Sequence, residues 1–195
     1  MHPSVPARNL PELLAWLRAQ NGAATYASQA VASTGHLAME LMKSRTGVEA
    51  THVPYKGSAA QAAADLLAGR VSMGFISSST TLAHVASGRL RAIGVAELKR
   101  IRAAPDIPTL DDSGLPRFEA TPWLGLGMRS GTPHDIVDRL ARRSTLALAR
   151  PKVSKRMASL GIEPRPMGPD EFAKFLHADS LKWADIIRRS GATLE

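Results

Sequence analysis

The sequence predicts an α/β fold organised on a parallel sheet. Residues 51–95, THVPYKGSAAQAAADLLAGRVSMGFISSSTTLAHVASGRLRAIGV, read as strand, helix, strand, helix, strand. The same unit of strand, hydroxyl-bearing loop and helix occurs once more upstream, over residues 24–42. In such sheets each strand delivers the chain at its carboxyl end into a helix amino terminus, where unpaired N–H groups and the helix dipole favour an anion.

Asn9 is placed to cap a first helix, with Glu12 completing a capping-box pattern and Leu10, Leu13, Leu14 and Leu17 at helical spacing. Asn21-Gly22 ends it. Residues 24–27 form a short strand, and 28–36, from Ser28 through Ser33, Thr34 and Gly35 to His36, form the loop from which a helix with Leu37, Leu41 and Met42 departs. A second strand holds His52, Val53 and Tyr55 around Pro54; Lys56, Gly57 and Ser58 follow, with Ser58 placed to cap the helix Ala59–Leu67 and Gly69 closing it. Val71, Met73 and Phe75 alternate with Ser72, Gly74 and Ile76 as a third strand. The strand runs into residues 77–80, whose hydroxyls are read as caps of a helix striped by Leu82, Val85 and Ala86 and ended by Gly88. Residues 90–95 are expected as a fourth, doubly buried strand.

Beyond residue 95 the texture changes. Residues 101–114 are proline-punctuated surface chain, and 118–121 and 123–128 read as extended segments separated by Pro122. Pro133 and Asp135 open a helix with Val137, Leu140, Ala141 and Leu148 on one face; Pro151 opens another that Gly161 stops; residues 168–171 open the last, striped by Phe172, Phe175, Leu176, Trp183 and Ile187. Three amphipathic helices thus accompany one firm strand, 123–128, and a weak one near Glu163. An amphipathic helix buries its stripe against a layer, so most of that layer is expected to lie outside this chain, upstream of Met1 or in another subunit.

The 195 residues suffice for one large domain or one and a half small ones, and 44% hydrophobic residues for a packed core. There is no cysteine, hence no disulfide and no thiolate metal site, and the six histidines lack paired metal-ligand spacing. No apolar run approaches the ~20 residues of a membrane span, and the opening residues do not have the pattern of a secretion signal. The charge of +8 is scattered along helices and loops, with its densest cluster at Lys99, Arg100 and Arg102, and aromatics for base stacking are few. This points to a solvated basic surface that steers small anions rather than to nucleic acid. No nucleophile elbow, Walker loop or dinucleotide fingerprint is present, so no enzyme and no cofactor is expected.

Several segments are similar to a known family. VPYKGSAAQAAADLLAGRVSMGF, SGRLRAIGVAE, PDIPTLDDSGLP followed by Trp123 and Gly125, SGTPHDIVDRL and the closing FAKFLHADSLKWADIIRRSGATLE occur in family order, and HPSVPARNLPELLAW with TYAS and GHLAMELM match as well. Over almost its whole length the chain resembles the substrate-binding receptors of tripartite tricarboxylate transporters, the Bug receptor family. The resemblance implies a type II periplasmic-binding-protein-like (flytrap) fold, a periplasmic location, a small organic carboxylate as ligand and the membrane permease subunits as partners. Members begin with a secretion signal and a first-domain portion that has no counterpart here. The resemblance therefore implies that residues 1–122 are the complete second domain and 123–195 the carboxyl-terminal part of an incomplete first one, which a second copy of the chain would be able to cover.

It also implies a site. The ligand-binding candidates are Ser28, Ser33, Thr34, His36, Tyr55, Lys56, Gly57, Ser58, Ser77 and Ser78, each with a plainer reading beside it. Ser33 or Thr34 donates to a carboxylate or only caps a helix; His36 does the same or is a buried helix residue. Ser58 and Ser79 cap, Lys56 attracts anions or is solvated, and Trp123 lines a hinge or is core. Family members usually carry a glycine-rich loop where this chain has residues 29–36, QAVASTGH, a departure that bears on how closely backbone approaches ligand. The expected function is a non-enzymatic carboxylate receptor; the alternatives are a non-binding remnant that pairs with a partner supplying the missing layer, and an α/β enzyme acting on an anionic substrate.

Overall fold

A computed structural model describes residues 1–190, apart from the side chain of Arg189; the end of the closing motif, 191–195, lies outside the described residues. The described chain divides into two compact units, Met1–Thr121 with residues 186–190, and Pro122–Asp185.

The first unit holds the sheet. Its elements are α1 (Leu10–Gln20), β1 (Gly22–Ser28), α2 (Thr34–Thr46), β2 (Ala50–Pro54), α3 (Ala59–Leu67), β3 (Met73–Gly74) and α4 (Ser78–Ala86). The strands are parallel in the order β2-β1-β3, and their carboxyl ends are level, since Ser28 lies opposite Pro54 and Ala27 opposite Gly74. Neighbouring strand residues point to opposite faces. Ala27 therefore enters a core with Tyr55, Ala62, Leu66, Val71 and Leu90, joined by Val85, on the α3 and α4 side, whereas Tyr26 stacks on His36 of α2 on the other. The predicted caps form as expected in α1 and α3. Asn9 accepts the Glu12 N–H (2.9 Å), while Glu12 returns to the N–H of Arg8 (2.8 Å), and Ser58 accepts the Gln61 N–H (3.2 Å).

Two strand expectations fail in this unit. The third strand shortens to Met73–Gly74, and residues 90–95 form no strand. Their backbone bonds are taken elsewhere: Arg91 exchanges bonds with Met1 (2.7 and 2.9 Å), whose neighbour His2 donates to Ser72 O (2.9 Å), so the first two residues lie between β3 and the segment expected to pair with it. At the far end Val95 forms a lone parallel bridge with Thr109. Ser79 is not the cap of α4 either; it sits inside the helix, its hydroxyl bonded to that of Ser77 (2.8 Å).

The second unit carries α5 (His134–Leu148), α6 (Pro151–Ser159) and α7 (Pro169–Ser190), which runs on beyond the unit's end. Among its described residues there is no strand: neither 123–128 nor the stretch near Glu163 forms one. Trp123 meets Phe172 and Phe175 edge-on, at ring centroids of 5.5 and 5.8 Å, and donates to Asp179 (2.9 Å). Other apolar side chains of the unit are bare: Leu124 is 94% exposed, and Leu126, Leu146 and Leu181 are exposed as well.

Candidate functional site

The three loops that leave the carboxyl ends of the strands adjoin one another, with that of β1 in the middle. Gly57 donates to Gln29 O (2.6 Å), tying the β2 loop to it. On the other side Gly35 lies so close to the β3 loop that a Cβ there would stand 2.5 Å from Phe75 O. The starts of α2, α3 and α4 consequently share one edge of the sheet, the edge at which open α/β sheets take ligands.

The three starts differ in how their N–H groups are used. α3 is capped by Ser58. α2 and α4 begin at Ser33 and Ser77 with no side-chain cap; the Ser33 hydroxyl turns back to Ala30 O (2.7 Å) and that of Ser77 to Ser79. In α4 the Thr80 N–H donates to Ser77 O (3.0 Å); the N–H groups of Thr34 and Gly35 in α2 and of Ser78 and Ser79 in α4 are left to water or ligand. Thr34 and Ser78 are the first helical residues of α2 and α4, half-buried beside those groups. Lys56, exposed and in a left-handed conformation (φ 46°), leads into Gly57 at φ 91°. Ala32 also has a left-handed backbone (φ 57°), a conformation that favours glycine.

Three candidates face inward. Ser28 is 1% exposed, with its hydroxyl between Ala30 O (2.9 Å) and His52 Nε2 (2.6 Å). Tyr55 belongs to the core and donates to Asp65 (2.9 Å), which Arg70 also holds (2.7 Å). Burial, then this bond, pushes the Tyr55 phenol up to about 12, while Arg70 first and Tyr55 second hold the Asp65 carboxyl below its usual range. His36, 7% exposed, accepts the Ala32 N–H at Nδ1 (2.9 Å) and lies flat on His52, centroids 4.0 Å apart and 5° between planes.

Around this pair is a polar cluster not anticipated from the sequence. Tyr26 stacks on His52 at 4.8 Å and donates to Glu40 (2.8 Å), which also binds Lys43 (3.0 Å) and stands 3.9 Å from His36 Nε2. Burial lowers the His36 titration; burial first and His36 second bring His52 down to about 4. Burial and Glu40 raise the Tyr26 phenol. The available signals were the i, i+4 spacing of His36 and Glu40 and the strand alternation that sends Tyr26 and Ser28 to one face.

Comparison with known proteins follows the same lines. Residues 1–192 match the tripartite tricarboxylate transporter family receptor. Protein BugT of Bordetella pertussis is 33% identical over 194 residues, covering all of this chain and 59% of BugT. The solved structure "R. palustris Rpa4515 with adipate" superposes with a TM-score of 0.87 at 29% identity, over 98% of this chain and 64% of that one. MatC from Rhodopseudomonas palustris with bound malate superposes at 0.80 with 26% identity, over 94% and 63%. The chain thus spans about three fifths of the length of these proteins, and its sheet and helices have the periplasmic-binding-protein fold. Matched along nearly its whole length in sequence and in structure, the chain belongs to the tripartite tricarboxylate transporter receptors, among the Bug proteins.

Proposed function

We propose that this chain provides the carboxylate-binding lobe of a periplasmic solute receptor, which takes up a small mono- or dicarboxylate and passes it to the membrane permease of a tripartite tricarboxylate-type transporter, without chemistry of its own. The observation that carries the reading is the pair of adjoining, uncapped helix starts of α2 and α4 at the carboxyl edge of a parallel sheet. In this reading the carboxylate is held by the first-turn N–H groups with Ser33, Thr34, Ser77 and Ser78. Lys56 and the open backbone at Gly57 stand at the rim, and ordered water fills what direct contacts leave. Ser28, Tyr55 and Ser58 support the loops from within. The adipate and malate of the two relatives favour a dicarboxylate.

Thermal melts of the chain with adipate, malate and acetate test this. A ligand at about a hundred times its Kd stabilises by about 2.7 kcal/mol, equivalent to several degrees for a chain of this length. No shift with any carboxylate refutes it; turnover of one would favour an enzyme.

The bare side chains of the second unit favour a companion reading. Leu124 and Leu126 of the extended segment, Leu146, and Leu140 of the predicted α5 stripe are exposed apolar side chains of the kind a layer would cover, and we propose that polypeptide other than these 195 residues covers them, either upstream chain or a second subunit. A dimeric mass in solution would identify the second subunit.

A further inference from the structure

His36 does not reach the carboxyl edge directly, yet it holds the loop that does. A backbone N–H can only donate, so the bond from Ala32 fixes His36 Nδ1 as unprotonated and leaves its proton on Nε2, 3.9 Å from Glu40. That bond spans the left-handed Ala32, the strained point of the loop that presents Ser33 and Thr34. Behind His36 the flat contact with His52 fixes the ring plane, and Ser28 fixes His52 in turn.

We propose that His36 is a positioning residue for the ligand edge: in its neutral form, stacked on His52, it holds residues 29–33 in place, and protonation of its imidazole releases that loop and weakens carboxylate binding. This rests on the functional reading above. A proton on Nδ1 turns the acceptor into a donor facing another N–H, and the Ala32 bond is lost. A proton on His52 places a cation 4.0 Å from the His36 ring. The groups facing the pair are Tyr26 and Ser28 from β1, Glu40 and Lys43 on α2, and, through Lys43, Glu49 at 3.5 Å. The Glu40 charge is shared with Lys43 and the Tyr26 hydroxyl, so it offsets a new proton only in part. Burial acts the same way, lowering both histidines.

The test uses the 195-residue chain. The Ala32 amide is followed by proton–nitrogen spectra between pH 7.5 and pH 5, and adipate and malate binding is measured by calorimetry at both ends, in the parent and in His36→Asn. Asn keeps an acceptor near the Nδ1 position and cannot take a proton. In the parent, the Ala32 amide is expected to lose exchange protection as His36 titrates, and Kd to rise about tenfold. In His36→Asn, Kd stays near the parent's pH 7.5 value and rises less than threefold. Equal pH dependence of binding in both proteins, or an Ala32 amide indifferent to the imidazole titration, overturns the inference. Absence of binding at pH 7.5 in the parent overturns the receptor reading and the ligand half of this one, while the amide titration still decides whether His36 holds the loop. Should His36→Asn fail to fold, the parent titration alone decides.

Discussion

Replacing Gly35 by alanine probes the contact that joins the α2 and α4 starts. The new Cβ would stand 2.5 Å from Phe75 O, 3.6 Å from Phe75 C and 3.8 Å from Ser28 Cβ. Ordinary packing requires the oxygen to retreat by roughly half an ångström to one ångström. It has little room to do so. The preceding Gly74 already lies so near β1 that a Cβ there would be 2.7 Å from Ala27 O, and the Phe75 ring is stacked 5.8 Å from the fully buried Phe118. Overpacking of this kind costs about 1–3 kcal/mol. Against it stands the helix preference for alanine, at most about 1 kcal/mol in the first turn. The net expectation is a loss of about 1–2 kcal/mol, at roughly 2–4 °C of Tm per kcal/mol for a chain of this size. Urea denaturation followed by circular dichroism measures the loss, with Gly127→Ala as control, since nothing lies within 4 Å of a Cβ there. If both variants unfold at the parent's midpoint, the α2 start is not wedged against the β3 loop, and the shared anion edge loses its geometric basis.

Two further results are expected. Tyr55→Phe removes a hydroxyl bonded to Asp65 but leaves Asp65 its bond to Arg70, so stability falls by about 1 kcal/mol while calorimetry finds adipate affinity unchanged; a large loss of affinity would return Tyr55 to the ligand. Stability also depends on pH through His52, which titrates near 4 when folded against an ordinary 6.5. Below pH 6.5 the unfolded chain takes up a proton that the folded chain refuses. This contribution is therefore full above pH 6.5 and is lost progressively as the pH falls toward 4, by about 1–2 kcal/mol once solvent screening of this half-buried ring is counted. Urea midpoints that stay constant from pH 7 to pH 4.5 would refute it.

What the sequence determined by itself was everything governed by neighbours along the chain. Asn9 with Glu12 and Ser58 ahead of an alanine-rich run specify caps, and the strand-loop-helix units specify periods and a parallel order, from short-range geometry alone, while the hydroxyls before α2 and α4 do not cap; motif order carried the family. Tertiary structure decided what depends on competition for partners. Residues 90–95 have strand composition, but Met1 and His2 take the bonds a strand would need; residues 123–128 have it too, and among the described residues no strand stands beside them. The same holds for the site. Ser28, Tyr55 and His36 carry the groups a carboxylate needs, and packing turned those groups inward, because a buried hydroxyl or imidazole must satisfy its hydrogen bonds where it lies. No local pattern records which face of the sheet a side chain 24 residues away will occupy, and the bond between Ser28 and His52 exists only once β1 and β2 are side by side.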